Sequence, residues 1–230
     1  MCPFKEESLP TGADPRSRFN DFIDDPKFPC VGAKSALNKD RLRYGHYAVL
    51  GDAGSAAQLR NALLAFSEEY PDAGTQPVSF IATFDSDVGD ELDFENRLWL
   101  QLRLMNEMDQ GEVEWDPSVS ADPASEQFSM SIAGRAFFVV GLHPAASRLS
   151  RRSPMPCLVF NFHSQFETLK ASGKYASMQK AIRARDAALQ GSINPVLARF
   201  GEASEARQYS GRAVPSDWVC PFSNGGSRNV

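Results

Sequence analysis

Residues capable of chemistry are concentrated in one stretch of this chain. Its three histidines include His143 and His163, and each follows an apolar run that reads as a buried strand, Ala136–Leu142 and Cys157–Phe162. Three arginines, Arg148, Arg151 and Arg152, lie between the two histidines. Imidazole is a common metal ligand, and guanidinium forks bind carboxylates bidentately. Imidazoles at strand ends beside a basic loop therefore suit an anionic cofactor that carries a metal, such as haem with its propionates. Two hydrogen-bonded structural histidines beside a solvated loop would leave the same pattern.

Strand direction decides whether both imidazoles can serve one site. Cys157–Phe162 spans about 20 Å at ~3.3 Å per residue. Paired antiparallel with Ala136–Leu142, it puts His143 and His163 at opposite sheet ends, and only one can reach a metal. If the link 143–156 crosses over to make the strands parallel, both fall at the same end.

The elements that must position these residues follow from periodicity. Residues 1–27 are rich in Pro, Asp and Gly and read as an N-terminal arm with a short helical patch near Ser17–Asp25. Pro29–Leu37 has the small and apolar residues of a short, closely packed helix. Arg41–Leu50 alternates as a strand. Ser55–Tyr70 has helical period through Leu59, Leu63 and Phe66 and stops at Pro71. Pro77–Phe84 reads as a strand. The Asp85-Ser86-Asp87 triplet after it is better placed to cap the next helix than to hold a hard cation. Glu91–Asp109 is the clearest helix, with Leu92, Glu95, Trp99, Leu102 and Met105 or Met108 on one face. After a Pro- and Ser-rich loop at 116–125, Phe128–Ile132 and Ala136–Leu142 form a hairpin turning at Gly134-Arg135. Beyond Cys157–Phe162 come helices over Ser164–Ala171 and Lys174–Gln190, the second carrying Tyr175, Met178, Ile182 and Leu189 on one side. The tail from residue 191, with Asn194-Pro195, Gly201, Gly211 and Pro221, lacks long periodicity and reads as an irregular wrap over the core, ending in a disordered tail at 223–230.

No internal repeat or boundary divides the chain. The expectation is one α+β domain over 28–222, with a mixed or antiparallel central sheet flanked by helices. Apolar content of 42% supports a real core. A formal charge of −5 argues against nucleic acid as the partner, since backbone binding needs a basic face. No stretch approaches the ~18 apolar residues of a membrane span. The N-terminus has no apolar core region and is not a signal peptide, which points to the cytoplasm. The four scattered cysteines, Cys2, Cys30, Cys157 and Cys220, form no CxxC pair and read as thiols.

Several blocks taken together resemble a known family. They are Pro29-Cys30-Val31-Gly32-Ala33, His143–Arg152, Val159–Glu167, Tyr175, Ile182–Asp186, Gln190–Pro195, Ser204–Arg212 and Trp218–Phe222. The combination, spanning about 28–222, resembles the YqcI/YcgG family. That resemblance implies a haem-dependent oxygenase of the pre-guanitoxin N-hydroxylase type, which N-hydroxylates the guanidine of arginine-like metabolites. One branch of the family acts on the way to cycloserine. The expected needs are haem b, O2, an external electron donor and a small guanidine substrate. A homodimer is compatible with the sequence. A haem-binding protein without turnover and a metal-free binder of small anions are the rival readings.

Given haem, the axial candidates are His143, His163, Cys30 and Cys220, while His46 lies outside the family-like blocks. A thiolate would favour O–O cleavage. The expectation leans to histidine, with His163 slightly ahead, because a junction between strand and helix fixes an imidazole better than a loop does. Arg148, Arg151 and Arg152, with Arg207, Tyr209 and Arg212 from the tail, are the expected propionate partners. Glu167, Asp186 and Glu205 are the carboxylates that could hold a guanidinium, and Asn161 points to the same side as His163.

Overall fold

The computed structural model of the chain describes residues 14–193 and 203–222. Asn194-Pro195, Gly201, residues 1–13 of the arm (Cys2 among them) and the segment 223–230 lie outside the described residues. Elements run α1 (Pro15–Asp24), α2 (Val31–Asn38), β1 (Leu42–Tyr47), α3 (Ala53–Glu69), β2 (Ser79–Phe84), α4 (Glu91–Asp109), β3 (Met130–Ile132), β4 (Arg135–Leu142), β5 (Cys157–Phe162), α5 (His163–Ala171), α6 (Lys174–Gln190) and α7 (Ala206–Tyr209). A single 3-10 turn, Leu149–Arg151, lies between β4 and β5.

Five strands form one mixed sheet in the order β1-β2-β5-β4-β3. β1 and β2 are parallel, joined by α3 in a βαβ unit, and the remaining pairings are antiparallel. Both faces of the sheet are covered, so the strands read as nearly continuous apolar runs rather than clean alternations. Leu158, Phe160 and Phe162 of β5 join Phe137 and Val139 of β4 in the larger core, with α3, α4 and α7. The opposite face contributes Leu42, Ile81, Leu142 and Cys157 to a second cluster with Phe19, Phe22 and Ile23 of α1. The described part of the arm is thus built into the core, because α1 covers sheet surface that would otherwise face water.

Two local expectations shift. The hairpin between β3 and β4 turns at Ala133-Gly134, not Gly134-Arg135: Ile132 pairs with Arg135, and both turn residues have positive φ, at 51° and 75°. Two positive-φ residues give the backbone twist that matches the flanking strands. The Ala133 amide is held by the Asp109 carboxylate at 2.7 Å. The cap of α4 is Asp90, whose carboxylate accepts from the Leu92 and Asp93 amides. Asp85 lies instead 3.1 Å from His46 Nε2, and Ser86 Oγ accepts from the Leu50 amide.

Candidate functional site

A cavity of about 290 Å³ lies between the sheet and the layer formed by α1, α2, α5 and α6. Strand alternation selects its floor: Ile81 of β2, Phe138 and Val140 of β4, and Val159 and Asn161 of β5 point to this face, their neighbours to the other core. Phe19 and Ile23 of α1 close one wall. Tyr175, Met178, Gln179, Ile182, Arg183 and Asp186 of α6 close another, at helical spacing. The stripe read from sequence over Tyr175, Met178 and Ile182 is therefore the face that meets this space.

The polar groups on this mostly apolar lining are few. Cys30 caps α2, its Sγ 3.4 Å from the Ala33 amide that donates to it. Burial pushes the thiol up, while the Ala33 and Gly32 amides and the Arg151 charge pull it down. Arg151 is 8% exposed and donates from its guanidinium to Gly141 O at 2.9 Å and Gln208 O at 3.2 Å. Burial lowers its pKa to about 10, against the nearby Asp186 carboxylate. Asn161 accepts from Ser79 Oγ at 2.6 Å and donates to Phe138 O at 3.3 Å. Gln165 bonds both the amide and the carbonyl of Val78, tying α5 to the start of β2.

Neither expected histidine lines this cavity. β4 and β5 are antiparallel, with Leu142 opposite Cys157 and Phe137 opposite Phe162, so His143 and His163 fall at opposite sheet ends. A shared histidine site is thereby ruled out. His143 is 1% exposed and stacks on Phe94 at 4.3 Å between ring centroids, on the α4 side of the sheet. Its burial holds the imidazole down to about 4, with Arg151 adding to the effect and Glu91 and Asp90 opposing it. His163 Nδ1 lies 3.4 Å from the Glu205 carboxylate, which also accepts from Ser129 and Tyr209. Burial pushes the Glu205 carboxyl up, and His163 is the largest opposing influence.

The predicted basic partners separate likewise. Only Arg151 reaches the lining. Arg148 pairs with Asp186 and donates to Ser192 O and Ser192 Oγ, and Leu149 N donates to Gln190. Those bonds clasp the loop onto the end of α6, which is why the loop and the Gln190–Ser192 block sit together. Arg152 donates to Ala146 O. On the far side of the sheet, Arg207 donates to the Pro215 and Trp218 carbonyls, and Arg212 pairs with Glu95. The buried Tyr209 hydroxyl accepts from Met130 N and lies 3.2 Å from Phe137 O. Of the expected carboxylates, Asp186 is on the lining, while Glu167 is exposed beside Lys170 at 3.5 Å. Cys220 and His46 also lie off the lining.

The description of the YqcI/YcgG family matches residues 19–223. The chain belongs to the YqcI/YcgG family. No curated protein and no solved structure matches it. The YqcI/YcgG match begins at residue 19, inside the stretch set apart as an arm, in keeping with the burial of Phe19 and Ile23. No helix among the described residues is long and apolar enough to cross a membrane. Among those residues no three His, Cys, Asp or Glu side chains group as a metal site. A haem differs from such a site, since its porphyrin supplies most of the iron's ligands and the protein adds an axial group. An apolar slot with Cys30 and Arg151 on its wall fits that group, while the two histidines and the remaining expected arginines lie off this lining.

Proposed function

We propose that this YqcI/YcgG protein is a cytoplasmic haem-dependent oxygenase that N-hydroxylates a small guanidine-containing, arginine-like metabolite, using O2 and an external reductant. The observation that carries the reading is the largely apolar cavity with one thiol and one buried guanidinium on its wall. The guanidine substrate is what family resemblance adds to it.

Cys30 would hold haem b through its sulfur, and the bound haem would supply the oxygen chemistry. The chain's own residues exclude water, orient the substrate and set polarity. The apolar floor of Ile81, Val140 and Val159 keeps the slot dry. Asp186 is the acidic residue on the lining, and its carboxylate is the partner for a guanidinium. Asn161, held by Ser79 and Phe138 O, presents a fixed amide at the floor.

The test is expression with a haem precursor, followed by a pyridine haemochrome assay and an absorption spectrum. Up to one haem per chain and a Soret band are expected. Reconstituted protein without stoichiometric haem overturns the reading. Given haem, a mass-spectrometric screen with reductant should show a product heavier by one oxygen from a guanidine compound in preference to an aliphatic amine. Haem with no substrate-dependent O2 consumption would make the protein a haem binder without turnover.

A further inference from the structure

The two edges of the sheet are not alike. β3, at one edge, has three residues. β1, at the other, has six, Leu42–Tyr47, and carries no Pro or Lys. Short strands, Pro and Lys are the usual guards of an open edge. The Ser79 amide donates to Arg41 O at 3.2 Å and the Asp85 amide to Tyr47 O at 3.1 Å. Successive residues of a strand turn their backbone groups to opposite sides. Arg41, Arg43, Gly45 and Tyr47 therefore serve β2, and Leu42, Tyr44 and His46 turn theirs outward. Among the described residues, Arg43 Nη1 reaches Leu42 O at 3.3 Å, while the backbone groups of Tyr44 and His46 have no bond on that side. Their side chains are tied back: Tyr44 to Asn20 of α1, and His46 to Thr83 and Asp85. Charge along the edge is polarised. Its start gathers Arg16, Arg41 and Arg43 against two carboxylates, Asp40 and Glu69. Its end has Asp85, 72% exposed beside His46, and the exposed Asp87.

We infer that β1 is the interface of a homodimer, in which it pairs antiparallel with β1 of a second copy across a two-fold axis and makes one continuous sheet. An antiparallel pair exchanges two bonds wherever the backbone groups of opposite residues face each other. With the axis at Tyr44, that residue meets its own counterpart and Leu42 meets the partner's His46, so all three outward-facing residues are used. Leu42 O can take the new bond beside the one from Arg43, since a carbonyl has two lone pairs. Charge selects the direction. Antiparallel pairing sets the basic start of each strand beside the acidic end of the other, so that Arg16 and Arg41 face the partner's Asp85. Parallel pairing would set the basic starts together. A two-fold contact also closes on itself, and the edge left on each copy is only the short β3, so assembly stops at the dimer.

The test is sedimentation velocity on the full-length protein, diluted from about 100 µM in ~0.15 M salt. A species of twice the chain mass that dissociates on dilution is expected. Tyr44→Pro removes an outward amide that β2 does not use, at a position where an edge strand tolerates proline. It should weaken the dimer about ten-fold or more, through the bonds lost on both copies. Asp85→Arg sets like charge against Arg16 and Arg41 and should weaken the dimer about five-fold or more, with a larger effect at low salt. A chain that stays monomeric at about 100 µM overturns the inference. So does a dimer that Tyr44→Pro leaves equally tight, because its interface must then lie elsewhere. If Tyr44→Pro does not fold, as judged by circular dichroism, the exposed Asp85→Arg variant decides by the same criterion.

Discussion

Three side chains that look alike as candidates behave differently once placed. Cys30 meets the cavity, whereas His143 and His163 meet carboxylate and aromatic neighbours behind the sheet. In haem-loaded protein, Cys30→Ala should therefore abolish the thiolate signature in the ferrous–CO spectrum. His143→Ala and His163→Ala should keep it, while costing stability. A native spectrum in Cys30→Ala, with loss in either histidine variant, would return the iron to an imidazole. His143 makes a second, independent prediction. Burial holds its pKa at about 4 against an ordinary 6.5, so the folded chain keeps the ring neutral while the unfolded chain takes up a proton. Stability present above pH 6.5 should fall as pH drops from 6.5 toward 4, by about 3 kcal/mol from this residue. His143→Phe preserves stacking on Phe94 and removes the proton. Its urea-unfolding free energy should lose that part of the pH slope, and an unchanged slope between pH 6.5 and 4 would refute the assignment.

At the scale of elements, β4 and α4 meet more closely than side chains ordinarily allow. A Cβ at Gly141 would lie 2.6 Å from Phe94 Cε1, 2.8 Å from Tyr209 O and 2.9 Å from Leu98 Cδ1. One of those atoms is backbone, which cannot swing aside. Gly141→Ala should destabilise the protein by about 2–3 kcal/mol, the upper range of overpacking costs, read from the urea midpoint; a change under about 0.5 kcal/mol would mean that α4 yields freely. The elements themselves were largely legible. Glu91–Asp109 and Lys174–Gln190 coincide with α4 and α6, because each is a long segment with strong boundary signals, Asp90 and Gly191. The strand cores were legible too, since β-branched and aromatic runs between turn residues have few other uses. The pairing was not. Whether His143 and His163 share a sheet end depends on the direction of β5 beside β4, a long-range choice that the link 143–156 leaves open. The contacts of the basic loop were hidden for a related reason. Arg148 finds Asp186 across 38 residues, a partner that local spacing cannot reveal. Cys30 was visible as a ligand candidate, but its advantage is three-dimensional: α1 and α6 must fold over it before it has a cavity to face.

For the molecule as a whole, the C-terminal segment works as a fastener across both layers. Tyr209 and Phe222 are buried in the larger core, Gln208 touches the cavity from behind, and Arg212 anchors on α4. That anchor is Glu95, 2% exposed, which accepts from Arg212 Nε at 2.6 Å, Arg212 Nη2 at 3.0 Å, Trp218 Nε1 at 2.8 Å and Ser210 Oγ at 3.0 Å. Burial alone would raise this carboxyl; the Arg212 and Trp218 bonds and the Arg212 charge outweigh it and hold it below its ordinary 4.5. A depressed carboxylate contributes stability that is fully present above 4.5 and lost as pH falls through the lower folded value. Glu95→Gln keeps the shape and removes the charge, leaving Arg212 without its counter-ion. At pH 7 the variant should be less stable by about 3 kcal/mol, near the lower bound for breaking a buried pair, because Arg212 retains some contact with water. The gap from the unmodified protein should narrow below pH 4.5, where Glu95 itself becomes protonated. Because Arg151 leans on Gln208 O, release of this fastener should also reach the cavity. Amide hydrogen exchange at Gln208 and Gly211 should quicken in Glu95→Gln, and haem or porphyrin should dissociate faster. Unchanged exchange at both amides, together with unchanged dissociation, would show that the tail is held by its aromatic residues alone and that the carboxylate on α4 does not govern the cavity's rear wall.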